Sequence, residues 1–272
     1  MGDYPLTVNN LVRSAKSDND WNDHNHIAFN TTVSSLLPAD FFPTPDPSLD
    51  HIDPAILNSP LGSNPNLAIS GVSPRYLDYL DLATRVPQEC FILDFAAETL
   101  RLLGFEERRA FVFQRYSIPL TIPGEADPVD QTGICIIHAH PTLVLLVLVI
   151  AKTLTNEAGP ETQVAATAIT AFRFNNKMRE DHGLNPLDAM IIPCITMANT
   201  CPIFYLVPVT TALINTVIGQ CPSSQSQVLR CPTVTTSNAG MEDTEYRKLV
   251  LKRLLAFKAL ARSHLVHILE GV

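Results

Sequence analysis

The chain reads as a mixed α/β domain, a central sheet of about four to six strands flanked by helices. Three observations predict this. Leu143–Ala151 is an unbroken run of Leu, Val and Ile up to its closing alanine, the pattern of a strand covered on both faces. Ala110–Ile122 alternates instead, with Val112, Gln114, Tyr116 and Ile118 out of phase with Phe111, Phe113 and Arg115. Around these runs stand segments of helical period near 87–103, 160–180 and 241–269. A bilayer-crossing helix needs ~20 apolar residues, so the short apolar run predicts no membrane span.

Residues 1–73 form the first unit, a Pro-rich arm expected to lie extended on the domain that follows over 74–272. Pro43-Thr44-Pro45-Asp46-Pro47 admits neither helix nor central strand. Apolar points such as Trp21, Phe29, Phe41, Phe42, Ile52 and Ile56 recur within the arm, and a freely disordered tail would hold fewer aromatics.

Ser73-Pro74 supplies a helix cap followed by proline at the first helical position. The helix over 87–103 places Phe91, Phe95 and Leu102 on one face and closes at Gly104. The strand 110–122 and a polar turn, Pro123–Asp130, come next. Two apolar runs, Ile134–Ile137 and Leu143–Ala151, then flank His138-Ala139-His140-Pro141, which predicts a hairpin. Pro160-Glu161 opens the long helix, with an acid at its positive end. Ala189–Met197 and Pro202–Val207 read as a second hairpin. An exposed strand edge around Pro202–Val207 would permit a dimer. Thr210–Ile218 is a short helix, and Gln220–Ala239, rich in Ser, Thr and Pro, reads as a loop. The last helix carries Arg247, Lys248, Lys252, Arg253, Lys258 and Arg262, which read as a solvated face.

With 272 residues, 46% of them hydrophobic, the chain is able to bury a full core. Its formal net charge of −8 does not favour a general nucleic-acid binder, although a nucleic-acid partner remains compatible with a local basic groove. A protein partner is expected at the N-terminal arm or the C-terminal helix. The cysteines, Cys90, Cys135, Cys194, Cys201, Cys221 and Cys231, make no C-x-x-C pair, so zinc is not expected. With no signal-peptide pattern at the start, reduced thiols and an intracellular location, cytoplasmic or nuclear, are the expectation.

The order helix, three strands, helix, strand is α-β-β-β-α-β, and it resembles the core of the PD-(D/E)XK nuclease-like superfamily. The pieces that carry a closer resemblance are Leu102-Leu103-Gly104-Phe105, Gly124-Glu125-Ala126, Gly133-Ile134-Cys135, Ile150-Ala151-Lys152, Pro160-Glu161-Thr162-Gln163, Asn175-Asn176, Ile192-Pro193-Cys194-Ile195-Thr196-Met197 and Pro202-Ile203-Phe204-Tyr205. In that order they are similar to large, mostly uncharacterised proteins of mushroom-forming fungi, over roughly 90–262. The resemblance implies a fungal origin. It also implies a cleft in which one strand supplies an Asp and the next an acid two residues before a lysine. These acids hold Mg²⁺ for phosphodiester cleavage.

In this chain the first acid's place is taken by Gly133 and the second's by Ile150. What the resemblance leaves as catalytic candidates are Lys152, Gln163 and Glu98. A lysine, an amide and one carboxylate do not make a hard-cation site. No cofactor is therefore expected. Mg²⁺ or Mn²⁺ enters only if Glu125, Asp127 and Asp130 act as relocated ligands. His138 and His140 read as turn histidines. His264-x-x-His267 has a spacing that suits a transition metal but stands alone. The function expected is a catalytically degenerate nuclease-like domain acting by binding, to nucleic acid or protein. The alternatives are an enzyme with relocated ligands or a metal-free reaction in the same cleft, and a plain protein-interaction module.

Overall fold

The computed structural model describes residues 31–61, 72–86, 88–118, 130–131, 133–150, 160–217, 226–233 and 240–272. Residues 1–30, with the arm's Trp21 and Phe29, lie outside that set, as do 119–129. Among the described residues, the strands are β1 (Thr31–Ser35), β2 (Ala110–Gln114), β3 (Ser117–Ile118), β4 (Asp130–Gln131), β5 (Ile134–Ala139), β6 (Thr142–Ile150), β7 (Ala189–Ala198), β8 (Cys201–Thr210) and β9 (Ser226–Pro232). The helices are α1 (Pro38–Phe41), α2 (Pro54–Asn58), α3 (Val72–Arg85), α4 (Glu89–Leu102), α5 (Pro160–Asp181), α6 (Thr211–Val217) and α7 (Thr244–Ile268). The succession α4-β2-β5-β6-α5-β7 is present, interrupted by the small β3-β4 pair.

The α/β class with a mixed sheet is what the structure has. The main sheet is 7-stranded, in the order β1-β9-β8-β7-β6-β5-β2. It exceeds the expected four to six because two strands join at one side. One is β9, which lies inside the stretch that reads as the loop Gln220–Ala239. The other is β1, which lies inside the arm and runs parallel to β9, Thr31 opposite Ser226. Neither has a long alternating run. β9 becomes a strand because β8 offers a ladder edge, with Phe204 opposite Cys231 and Tyr205 opposite Arg230, and β1 because β9 then offers the next edge.

That pairing corrects a second expectation. Pro202–Val207 is not at an edge, because β8 is hydrogen-bonded to β7 on one side and β9 on the other. The strand expected over Ala110–Ile122 is also shorter. Arg115 takes a φ of 50°, outside the extended region, and ends β2 before the short β3. The predicted hairpin forms, β5 antiparallel to β6 with Ile134 opposite Leu148 and Ala139 opposite Thr142.

The two faces of the sheet follow from cross-strand partners, which point the same way. Val149, Thr196 and Ile203 share one face with Cys194, Tyr205 and Arg230. Here α5 packs, and Glu161 on its first turn meets both Tyr205 and Arg230. Leu148, Ile195, Phe204 and Cys231 share the other face. There the Phe204 ring lies 5.0 Å from Phe257 of α7 and 5.5 Å from Phe42. Residues 31–61 contribute Phe41, Phe42, Leu49, Ile52 and Ile56 to the same buried core.

Two asparagines hold α5 in place. Asn175, fully buried, accepts from the Val144 N–H at 2.7 Å and donates to the Val144 carbonyl at 2.8 Å. Val144 lies close to the point where the β5-β6 register shifts, and the amide satisfies backbone groups that would otherwise be buried unpaired. Asn176 does the same for Leu187, at 2.9 and 2.8 Å. Gly104, at φ 68°, ends α4 as a left-handed residue that tolerates no side chain cheaply.

Several basic side chains of α7 are not part of the solvated face their sequence suggests. Arg247 is completely buried and donates to the carbonyls of Met241, Ile56, Ser59 and Glu242. Lys252 pairs with Asp46 and Arg253 donates to the Pro45 carbonyl. Lys258 and Arg262 both meet Glu107. A helix face looks solvated from its own sequence when the segments covering it are far away in the chain.

Candidate functional site

The cleft implied by the resemblance would lie where β5 begins and β6 ends. Antiparallel pairing brings these two points together. A Cβ built on Gly133 would stand 3.5 Å from the Ile150 nitrogen and 2.7 Å from the Leu148 carbonyl oxygen. The two positions that would hold carboxylates are therefore neighbours. One carries no side chain and has no space for one, because the Leu148 carbonyl is part of the β6 backbone and cannot swing aside. The other is a buried isoleucine.

Of the remaining sequence candidates, Lys152, Glu125 and Asp127 lie outside the described residues. Asp130 stands in β4 opposite Ile118. Gln163 is exposed on the first turn of α5. Glu98 does not join Gly133 and Ile150. The α4 residue beside Gly133 is Leu93, with its Cδ2 3.4 Å from the built Cβ. Glu98 is five positions later, about 7.5 Å along the axis and turned to another side of the helix. Its carboxylate is bound by Arg75 at 2.9 Å and Arg101 at 3.2 Å, which ties α3 to α4. Glu98 thus serves as a clamp between these two helices.

The described residues do not fit Mg²⁺. A hard cation needs several converging oxygens, with carboxylate charge among them. Among the described residues, no group of three or more His, Cys, Asp or Glu converges in that way. The histidine pairs do not supply an alternative. His138 is buried, with Nδ1 3.2 Å from the Pro141 carbonyl, while His140 is exposed. Burial, with the neighbouring His267 as a second cause, lowers the pKa of His264. Burial pushes Cys231 up to about 11, and Cys135 and Cys194 are fully enclosed.

A polar group that sequence reasoning does not single out sits under α5. Glu161 accepts from Arg230 at 3.0 Å and from the Tyr205 hydroxyl at 3.4 Å. Burial first, and the Glu161 charge second, raise the Tyr205 pKa, so this hydroxyl stays protonated and donates. Arg230 Nε is buried without a hydrogen-bond partner among the described residues. The sequence signal is a lone tyrosine inside the apolar Ile203–Val207, opposite no visible partner. The partners come from α5 and β9, and β9 reads as loop from its own letters.

At the hairpin end of the sheet, away from Gly133, a pocket of about 290 Å³ opens between β5, β6 and α7. Ile136, Leu146 and Leu265 line it, with His138, Lys258 and Arg262 among its polar members. Compared with protein-family models and with curated proteins, the chain has no match in either.

Proposed function

We propose that this chain is a nuclease-like domain that retains the α-β-β-β-α-β core, has lost metal-dependent phosphodiester cleavage, and acts by binding. One observation carries the reading. The strand positions 133 and 150 are adjacent, as a two-carboxylate site requires, and neither offers a donor atom. The close approach of the Leu148 carbonyl means that a carboxylate at 133 needs more than a side-chain exchange. An enzyme under selection for this chemistry would hold that space open.

The absence of paired acids at these two positions has a consequence for binding. Acids that hold a metal repel phosphate when the metal is gone, and a cleft without them lacks that repulsion. The fold alone does not decide the partner.

The test is calorimetric titration with Mg²⁺ and Mn²⁺, together with cleavage assays on single- and double-stranded DNA and RNA for the wild type and Lys152→Ala. The expected outcome is no saturable metal binding in the millimolar range or below and no cleavage by either protein. Tight metal binding with cleavage that depends on Lys152 would overturn the reading.

A further inference from the structure

The edge strand β2 has two faces of opposite character. Val112 points inward and is buried, whereas Phe111 and Phe113 are each 45% exposed. Their rings lie 6.5 Å apart, and Tyr116 continues the row with its ring 6.0 Å from Phe113. Large exposed apolar side chains scattered singly need no explanation, but three aromatic rings in sequence on one edge form a patch. Arginines bracket this row. Arg108 and Arg109 precede β2 and Arg115 follows it, all three exposed. The ladder itself ends on them, since Ala139 N–H donates to the Arg109 carbonyl and Arg115 N–H donates to the Gly133 carbonyl, both at 2.8 Å.

Among the described residues, the guanidinium groups of these three arginines have no ion pair or hydrogen bond. The nearby acids are already engaged. Glu106 accepts from Arg101 and from the Val112 N–H, and Glu107 meets Lys258 and Arg262. A chain of net charge −8 therefore presents, at this edge, three cations unpaired among the described residues around three rings.

We propose that this face of β2 binds single-stranded nucleic acid, with bases stacked on Phe111 and Phe113 and phosphates met by Arg108, Arg109 and Arg115. Stacking uses the π-face that every base has, and unpaired arginines supply the counterion-releasing contacts to the backbone. Unstacked bases are required, so duplex is the poorer ligand. The rival occupant of an edge strand is another strand, from a second copy of the chain. The outer edge of β2 argues against that. At Val112, the N–H is taken by Glu106 at 3.1 Å and the carbonyl by Arg101 at 3.3 Å, so the edge is capped where a ladder would have to form. Phe111 and Phe113 keep exposed faces while the hydrogen-bonding edge at Val112 is closed.

This row ends beside the cleft, where the Arg115 N–H meets the Gly133 carbonyl, and the inference holds whether or not cleavage is lost. The experiment is fluorescence anisotropy with labelled oligothymidylate, oligouridylate and a duplex of the same length, on the full chain. Both single strands are expected to bind, and the duplex at least tenfold more weakly. Phe111→Ala and Phe113→Ala are each expected to weaken single-strand binding about tenfold. Arg109→Ala with Arg115→Ala should reduce the slope of log K against log salt by about 1.4, two phosphates at ~0.7 each. Thermal unfolding of each variant, unchanged from wild type, confirms that the fold is intact. Failure of both single strands to bind would overturn the proposal. So would wild-type affinity in the Phe variants, equal affinity for duplex, or light scattering that shows a dimer converted to monomer by Phe111→Ala.

Discussion

The molecule carries two sets of cations that the sequence writes in the same letters. On α7, Arg247, Lys252, Arg253, Lys258 and Arg262 all have partners within the chain. Around β2, the side chains of Arg108, Arg109 and Arg115 have none among the described residues. The denser set in sequence is the one on α7, yet it offers little charge to a partner. Its members fasten distant segments: Arg247 reaches Ile56 and Ser59 at the end of α2, Lys252 and Arg253 hold 45–46, and Lys258 and Arg262 hold the turn before β2. Charge density along a chain therefore does not locate a binding surface. What locates it is charge left over after folding.

The two sets should then differ in what their removal does to stability. The largest effect is expected at Arg247. Arg247→Met keeps much of the side-chain volume but leaves four backbone carbonyls, of Met241, Ile56, Ser59 and Glu242, without their donor. Charge-assisted hydrogen bonds contribute ~1.5–3 kcal/mol each. Removing the buried guanidinium also removes its desolvation cost, the same cost that lowers the Arg247 pKa. The net loss is therefore smaller than the sum, on the order of 3 kcal/mol. Urea unfolding followed by circular dichroism measures it, and a loss below about 0.5 kcal/mol would mean that Arg247 is no fastener.

An intermediate effect is expected at Lys258. Its ammonium donates to the carbonyls of Leu103 and Gly104, the open end of α4, and it lies 5.7 Å from the Phe105 ring. Cations at a helix C-terminus satisfy orphan carbonyls and oppose the dipole. Lys258→Met should cost about 1–2 kcal/mol by thermal unfolding. Lys258→Arg should recover part of that, because a guanidinium still donates there but does not match the compact geometry of the ammonium.

How much of this is legible in the sequence depends on how local each signal is. The strand β6 and the helices α4, α5 and α7 are readable because periodicity and caps act within one segment: Leu143–Ile150 for burial on both faces, Pro160-Glu161 for a helix start, Gly104 for a stop. The strands β1 and β9 are not, because Thr31–Ser35 and Ser226–Pro232 are strands only by virtue of the neighbour each pairs with. The same limit applies to the site. That Gly133 and Ile150 would be neighbours follows from the order of elements and the resemblance. That the Leu148 carbonyl leaves no space at 133 is visible only in three dimensions. The fate of Arg247 is the sharpest case, because its carbonyl partners at Ile56 and Ser59 are 191 and 188 residues away.

The smallest effect on stability is expected where the proposal places the unpaired cations. Arg109 and Arg115 have φ values of 70° and 50°, in the left-handed region that glycine enters without the Cβ penalty. Arg109→Gly and Arg115→Gly remove an exposed side chain with no partner among the described residues and relieve that penalty, while adding freedom to the unfolded chain. These terms oppose each other, so each variant should unfold within about 0.5 kcal/mol of the wild type. Thermal unfolding measures this directly. A loss of about 2 kcal/mol or more, on the order seen for buried networks, would mean that these arginines are fasteners too, and the distinction between the two sets would disappear. A neutral result leaves two arginines held in a conformation better suited to glycine, at no benefit to the fold. Strain of that kind is retained at positions where the side chain has work outside the fold.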